Sequence, residues 1–486
     1  MKEKLKKNLI FLLSVLIFGL AWEIAAKIVD SPLVLPPLEA VFRRLCRLAG
    51  TRLFWTSLLA TACRVLAAFV VTVLLGLLLG FACGLNEKIR FFLSFPLSLV
   101  KATPVVALIM VVLFWFPTKT LPVICAVLMT LPVMTDSVSK AVQNTDKKLL
   151  EMAAVFDFSL KTRLSSVYFP SVKPYATGAA RTVFAQGWKV VAAGEILALP
   201  RNAFGTLIQD NRILLEPDAV FALVLTLTLV CVLSEKVLFK LFEYMGVSLA
   251  RFQRARAGSF AAPASASEPS VFSVPSAPQT APAPDAAVKI ENLSFTYKGS
   301  SPEENREIFK DFSLELESGK ISAISGPSGR GKTTLLNIIS GIIPRAQYSG
   351  TVRSQKASFI FQDSRLIPEL SVLKNTALPL FSKMTKKEAY RTAFRYLSKV
   401  GLEDRAFSPA SELSGGQKQK VQAARAFAFQ TPLVLMDEGT NSLDEDAREN
   451  LWASIKELLS ENPRTLVFVT HNKAEAEKYA DSIIGL

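Results

Sequence analysis

Long apolar stretches dominate the first half of the chain, and the pattern of hydrophobic and polar positions then changes twice. Six runs, roughly 8–29, 57–85, 91–115, 119–139, 175–199 and 218–242, are each of the length that crosses a bilayer, about 18–20 residues. The third and fourth are separated only by Pro117-Thr118-Lys119-Thr120, read as a tight turn between two spans. From 257 to 287 the sequence is mostly Ala, Pro and Ser and contains no Lys or Arg. Such a stretch cannot bury a core and reads as a semi-extended tether, about 30 residues reaching up to roughly 90 Å. From Val288 the period shortens. Ile321–Ile324, Ala357–Phe361, Leu433–Met436 and Thr465–Thr470 read as strands, and Leu335–Ile342, Lys386–Val400 and Gln417–Phe429 as helices. The expected architecture is an α-helical membrane domain of about six transmembrane helices over 1–254, a linker over 255–287, and an α/β domain with a largely parallel sheet over 288–486.

Charge orients the helical half. Residues 1–257 hold 29 basic and 15 acidic residues, against 27 and 24 in 288–486, so most of the net charge of +15 sits beside the apolar runs. That placement sets membrane orientation and does not grip a phosphate backbone, so no nucleic-acid partner is expected. Lys2, Lys4, Lys6 and Lys7 put the N-terminus in the cytoplasm, and the basic loop 140–173 then falls on the same side. Arg43, Arg44, Arg47 and Arg52 run against this bias on the outer side. A cleaved signal peptide over the first run would leave five spans and turn the C-terminal half away from cellular ATP, which the site described next argues against. The five cysteines are scattered in apolar surroundings with no CxxC spacing, which excludes a disulfide scaffold and a zinc site.

Gly326-Pro327-Ser328-Gly329-Arg330-Gly331-Lys332-Thr333 fits GxxxxGK[ST], after an expected strand and before a helix that opens at Thr334. Glycines let backbone N–H groups wrap phosphates, and the helix N-terminus adds a positive dipole. Lys332 suits the β- and γ-phosphates, and the Thr333 hydroxyl suits Mg2+. Asp437 and Glu438 follow the strand Leu433–Met436. The first carboxylate can hold magnesium through water, and the second can position or deprotonate the attacking water. Ser414-Gly415-Gly416-Gln417 opens another helix and makes a second anion-binding end. One nucleotide could use both ends only across a dimer face or by an unusual fold-back. His471, the one histidine in the chain, ends the strand Thr465–Thr470 on the same expected sheet edge.

These motifs resemble those of the nucleotide-binding part of ABC transporters. The resemblance implies an adenine platform at Tyr297, a Q-loop at Gln362 that senses Mg2+ and meets the membrane part, a signature at 413–417, a D-loop at Ser442-Leu443-Asp444 and a switch histidine at His471. It implies that Glu438 acts on water, that His471 holds the γ-phosphate, and that Ser414 and Gly416 complete the ATP site of a partner copy. Gly439 stands where Pro is common. The helical half is similar to permeases of the nitrate/sulfonate/taurine importer type, on Leu35-Pro36-Pro37-Leu38-Glu39 and on Glu151-Met152-Ala153-Ala154 followed by Phe169-Pro170. The resemblance makes Glu151, Ala153, Ala154 and Asp157 a coupling loop. Asp157 occupies a position usually held by Gly, which bears on the geometry of that turn because Asp tolerates a left-handed backbone less well.

Ionisable residues inside spans are candidates for the solute path: Lys101, Lys189 and Glu195, with Arg64 in the second span; the plainer alternative for Lys189 and Glu195 is a structural pair or snorkelling near the span ends. The expected function is a half-importer, permease and ATPase in one chain. It would work as a homodimer, or with a second ABC half, in a bacterial plasma membrane, with ATP, Mg2+ and a separate extracytoplasmic solute-binding protein. An exporter half-transporter is the alternative. It fits less well, because exporter helices extend far into the cytoplasm and the longest inner loop here is near 35 residues. An ATPase that only transmits force through the bilayer would call for a large outer domain, and the outer loops are short.

Overall fold

The computed structural model describes residues 2–261, 286–297, 305–440 and 444–486. Most of the expected tether (262–285) and Ser442 and Leu443 of the expected D-loop lie outside the described residues. The chain forms two compact units, Met1–Asn144 with Ser171–Val247, and Thr145–Pro170 with Ser248–Leu486. The loop 145–170 therefore groups with the C-terminal unit although its sequence lies between two apolar runs.

The first unit is helical. Its elements are α1 (Lys2–Val29), α2 (Leu38–Ala49), α3 (Arg52–Leu85), α4 (Glu87–Ala102), α5 (Val105–Val112) and α6 (Leu121–Gln143). After α7 (Lys147–Val155) and α8 (Leu160–Arg163), which belong to the second unit, come α9 (Phe169–Ala198), α10 (Phe204–Ile213) and α11 (Pro217–Ala261). Among the described residues four helices are long and apolar enough to cross a membrane, and five if α4 and α5 count as one broken span. Two expectations change. The run 91–115 is not one straight helix: α4 and α5 meet at 104°. Pro104 supplies no N–H and drives Thr103 to an extended ψ of 127°, which ends α4. The run 175–199 is a helix of 30 residues, long enough to span. It is not among the sufficiently apolar helices because it carries Arg181, Lys189 and Glu195.

Helices α3 and α6 pack side by side and in parallel. A Cβ added at Gly76, Gly80 or Gly84 would lie 2.5 Å from a side-chain atom of Met134, Val138 or Val142 respectively. The glycines recur every four residues and their partners keep the same step, so both helices run the same way. Absent side chains let the backbones approach, the usual device where lipid removes the hydrophobic drive. Thr72 and Thr130 extend the seam with a 3.0 Å hydrogen bond between their hydroxyls. Two parallel helices cannot be joined by a hairpin, so α4 and α5 together carry the chain back to its starting side.

The buried Glu195 carboxylate ties α9 to α3 and α10. It accepts from the Thr61 hydroxyl at 2.9 Å, Arg64 Nη1 at 2.7 Å and the Gly205 amide at 3.0 Å. Arg64 also donates to the Asn202 carbonyl at 3.3 Å, which fixes the turn between α9 and α10. The basic run 43–47 lies on the amphipathic helix α2, in which Arg44 pairs with Glu216.

The second unit contains two sheets. Strands β1 (Ala286–Tyr297), β2 (Arg306–Glu317) and β4 (Ser349–Ser354) form an antiparallel sheet in the order β2-β1-β4, which the sequence pattern had not revealed. Strands β3 (Ile321–Ser325), β5 (Ala357–Ile360), β6 (Leu433–Asp437), β7 (Thr465–Thr470) and β8 (Ser482–Gly485) form a parallel sheet in the order β5-β6-β7-β3-β8. Strands β6 and β7 are buried along their whole length, as continuous apolar runs in a parallel sheet demand. The helices are α12 (Lys332–Ile339), α13 (Val372–Ala377), α14 (Lys386–Lys399), α15 (Gly415–Ala428), α16 (Glu445–Glu461) and α17 (Lys473–Tyr479). Helix α12 opens at Lys332, earlier than the apolar pattern suggests, because Gly331 takes the left-handed φ of 94° needed to enter it.

Candidate functional site

Three adjacent strands of the parallel sheet, in the order β6-β7-β3, end on the same edge. That edge carries the glycine-rich loop after β3, the carboxylates after β6 and His471 after β7. Ligands of parallel α/β sheets bind at this carboxyl edge. Residues 327–330 are exposed, and Gly329 and Gly331 have φ of 82° and 94°. A Cβ at Gly331 would come 2.4 Å from Ile308, so only glycine fits that bend. Lys332 is 5% exposed, and its ammonium donates to the Gly326 and Pro327 carbonyls at 2.8 and 2.9 Å. Thr334 is buried, and its hydroxyl shares a 3.4 Å hydrogen bond with the Tyr297 hydroxyl. The Tyr297 ring is 46% exposed and rests edge-on against Phe295 at 4.8 Å, leaving a face for a planar base.

The Thr333 hydroxyl donates to Asp437 Oδ1 at 3.0 Å. Burial, reinforced by the charge of Glu438, pushes the Asp437 carboxyl up to about 6, while the Thr333 hydrogen bond works against the rise. A buried carboxylate so disfavoured, with a hydroxyl and the exposed Gln362 amide close by, is a set of hard oxygen donors that fits a divalent cation such as Mg2+. Gln362 Nε2 donates to Glu438 Oε2 at 3.3 Å, and His471 Nδ1 lies 3.9 Å from Glu438 Oε1. Glu438 itself has a left-handed φ of 42°, with its amide donating to the Val469 carbonyl at 3.1 Å. Backbone strain of this kind gathers at working sites. The arrangement can hold a triphosphate on backbone amides and set a carboxylate, an amide and an imidazole around its last phosphate.

Ser414 caps α15. Its hydroxyl accepts from the Gln417 amide at 3.3 Å while Gln417 Oε1 accepts from the Ser414 amide at 3.1 Å, a reciprocal capping box. Gly415 and Ser414 are exposed, and Gly416 and Gln417 half-buried. The motif thus sits at a surface helix end, where a second phosphate group can reach it.

Helix α7 carries the expected coupling residues, with Asp146 as its cap through the Lys148 amide at 2.8 Å. Met152, Ala153, Phe156 and Phe158 are buried in the same core as the β-sheets. Phe156 meets Phe429 edge-on at 5.4 Å and lies 5.1 Å from the Arg425 guanidinium. Ala154 faces out. Charges frame the contact: Glu151 with Arg365 at 2.8 Å, Lys148 with Asp363 at 2.5 Å, and Asp157 with Lys356. Burial alone would raise the Asp363 carboxyl, but the Lys148 and Arg365 hydrogen bonds and charges hold it below its ordinary value. Asp157 does adopt the left-handed backbone, with φ 48°. The ~1–2 kcal/mol disfavour of that conformation for an L-residue is set against its ion pair with Lys356. The Glu151→Ala variant is expected to leave Arg365 short of a partner and to loosen α7 from the side chains it packs against, raising amide exchange in 147–155 severalfold. Hydrogen exchange of the variant beside the parent checks this.

Several residues here had escaped the sequence reading. Gln422 clasps the Phe361 backbone with both ends of its amide, at 3.1 Å each, and Gln419 holds the Gln362 carbonyl at 3.0 Å. Glu475, 5% exposed, accepts from Thr440 at 2.7 Å, Trp452 Nε1 at 2.8 Å and Thr470 at 2.6 Å. It ties the turn after β6 to the last residue of β7, which precedes His471 in the chain. In the first unit, Glu195 pairs with Arg64 and not with Lys189, and it is fully buried, so it does not line a path. Lys189 is exposed, and Lys101 is exposed beside Asp136 at 3.3 Å.

Two family models match this chain. One, "ABC transporter", covers residues 309–441, and the other, "Binding-protein-dependent transport system inner membrane component", covers 72–243. The chain is 38% identical over 208 residues to the uncharacterized ABC transporter ATP-binding protein YvrO of Bacillus subtilis, spanning 39% of this chain and 89% of that protein. It is 35% identical over 207 residues to the tungstate uptake system ATP-binding protein TupC of Peptoclostridium acidaminophilum, spanning 41% of this chain and 94% of that protein. It is 37% identical to the spermidine/putrescine import ATP-binding protein PotA of Fusobacterium nucleatum, spanning 40% of this chain and 54% of that protein. A solved ATP-binding cassette, described as a post-hydrolysis dimer bound to ADP and Pi, is 34% identical and covers 41% of this chain and 94% of its own, with a TM-score of 0.38.

Proposed function

This chain belongs to the ABC transporter family, with a permease domain and an ATP-hydrolysing domain in one polypeptide, and from that premise we propose that it is a half-importer. It works as a homodimer in a bacterial plasma membrane and receives a small solute from a separate extracytoplasmic binding protein. The permease domain runs over 1–254 and the ATPase domain over 288–486, joined by the linker 255–287.

Backbone amides from Gly326 to Thr334 wrap the phosphates of ATP, and Lys332 exchanges its loop carbonyls for the β- and γ-phosphate oxygens. Tyr297 stacks on the adenine. Thr333, Asp437 and Gln362 would hold Mg2+, which would supply charge neutralisation for the phosphates. Glu438 accepts the proton of the attacking water, Gln362 keeps that carboxylate oriented, and His471 donates to the γ-phosphate. Ser414 to Gln417 of one copy close over the nucleotide of the other, so turnover requires two copies. Gln362 begins the segment that reaches Arg365 and through it Glu151, which passes the state of the γ-phosphate to the loop 145–170.

The observation that supports import is the short loop 145–170, whose one main helix buries Phe156 among the ATPase side chains. The import systems named among the relatives agree with this direction. Nitrate-, sulfonate- and taurine-like anions are the first solutes to test. Everted vesicles containing the chain and trapped periplasmic extract are preloaded with labelled nitrate, taurine or sulfate. ATP added outside should drive the label outward into the medium. Inward accumulation would make the chain an exporter.

A further inference from the structure

Two opposite charges of the second unit stand exposed at the two motifs that the proposed site brings together. Arg330 lies at the crest of the glycine-rich loop, between Gly329 and Gly331, whose left-handed φ of 82° and 94° turn the chain on either side of it. The other cations of this region are engaged. Lys332 is buried on the loop carbonyls, and Arg306 of β2 donates to the Gly329 carbonyl at 3.0 Å. Arg330 is exposed and, among the described residues, makes no side-chain hydrogen bond and no ion pair.

Glu412 stands two residues before Ser414, the cap of α15. It ends the short turn Ala410–Glu412, with its amide donating to the Pro409 carbonyl at 3.1 Å. Leu413, the next residue, is buried and pins the backbone, while Glu412 is exposed. Among the described residues the Glu412 carboxylate has no hydrogen bond and no cation paired with it.

A carboxylate beside the amino end of a helix is favoured by the helix dipole while that end is empty. It becomes a repulsive neighbour once the same end receives a phosphate, as Ser414 to Gln417 do in the site proposed above. Like charges brought together where water is excluded cost far more than at a free surface. Closure of the site therefore calls for a cation to meet Glu412. The surface that arrives there is the glycine-rich loop of the other copy, and Arg330 is the unpaired cation on that loop. Its planar fork suits a carboxylate.

We infer that Arg330 of one copy pairs with Glu412 of the partner copy when ATP is bound. A two-fold interface then contains the pair twice, since each copy carries both halves. The inference rests on the shared-site reading and adds to it a named contact between copies.

The test measures ATP turnover by the full chain in phosphatidylcholine vesicles as a function of ATP concentration. Arg330→Glu and Glu412→Arg each set like charges against one another at both contacts, and each should raise the half-saturating ATP concentration about tenfold or more. The double reversal should bring it back to within about threefold of the parent. Dimers of one Arg330→Glu copy and one Glu412→Arg copy, isolated through different affinity tags, carry the sharpest expectation. One contact then has both charges reversed and the other has both native, so two impaired chains together should work as the parent does. Rescue by the double reversal but not in the mixed dimer would place the contact within one copy, and failure of both rescues would remove the contact; either overturns the proposal. A neutral cycle guards against direct repulsion of the phosphates by Arg330→Glu. Arg330→Gln should raise the half-saturating concentration about threefold in the parent and much less in a Glu412→Gln background. An equal rise in both backgrounds would assign Arg330 to the nucleotide and overturn the pair.

The shared site is read separately, by oxidative joining of Ser328→Cys in one tagged copy to Gly415→Cys in the other with ATP present. Both positions are exposed, a Cβ at Gly415 meets nothing within 4 Å, and the native cysteines all lie in the first unit. If the bridge forms and the charge reversals are not rescued, the pair falls and the shared site stands. If the bridge does not form, both fall.

Discussion

Glu438→Gln is expected to arrest ATP turnover with ATP still bound. The substitution keeps the size of the side chain and removes the carboxylate proposed to take the proton from water. General-base catalysis is worth about 10²–10⁴ in rate, so phosphate release should fall by at least a hundredfold. ATP affinity should hold, because Lys332, the loop amides and Tyr297 are untouched. The charge of Glu438 also helps keep the neighbouring Asp437 carboxyl raised. Its removal moves Asp437 toward the ionised state and favours, if anything, tighter nucleotide retention. Single-turnover phosphate release and equilibrium ATP binding on the same purified variant are the measurement. Turnover within twofold of the parent would take Glu438 out of the mechanism.

The second large effect is expected at Glu475. Three donors from three elements, Thr440, Trp452 and Thr470, converge on one buried carboxylate. Glu475→Ala leaves them unsatisfied in a packed interior, and breaking a buried charged network costs about 3–5 kcal/mol. That is a large part of the ~5–15 kcal/mol by which domains are stable. The unfolding midpoint of the ATPase domain in urea should fall accordingly. Glu475→Gln keeps an acceptor and should cost about 1–2 kcal/mol. It should still slow turnover, because Thr470 is the residue before His471. A Glu475→Ala chain that unfolds within 1 kcal/mol of the parent would show the three donors to be satisfied elsewhere.

The legible parts of this chain were those whose cause is local. The loop 326–333, the strand before it and the helix cap at Ser414 are each set within a few residues, and all stand where the sequence places them. The left-handed backbone at Asp157 was not legible, since Asp in the place of glycine had left the geometry of that turn open. What the pattern missed depends on distance along the chain. Glu195 finds Arg64 131 residues away, so the nearer Lys189 looked like its partner. Glu475 reaches back to residues 35, 23 and 5 positions earlier, and no window joins them. Hydropathy added 91–115 into one span because it does not register the bend that Pro104 imposes. The antiparallel sheet β2-β1-β4 is mostly half-exposed strand with irregular register, which blurs the alternation that would have announced it.

The loop 145–170 has a consequence for how the polypeptide can be divided. Phe156 and Met152 fill a socket in the ATPase core that a gene boundary drawn at the linker would leave empty. A fragment beginning at Val288 would carry an uncovered greasy hole beside Phe429 and the Arg425 guanidinium, and would be prone to clump. Fusion of the two halves therefore guarantees that each newly made ATPase has its own plug in reach, one per molecule, whatever the cellular concentration.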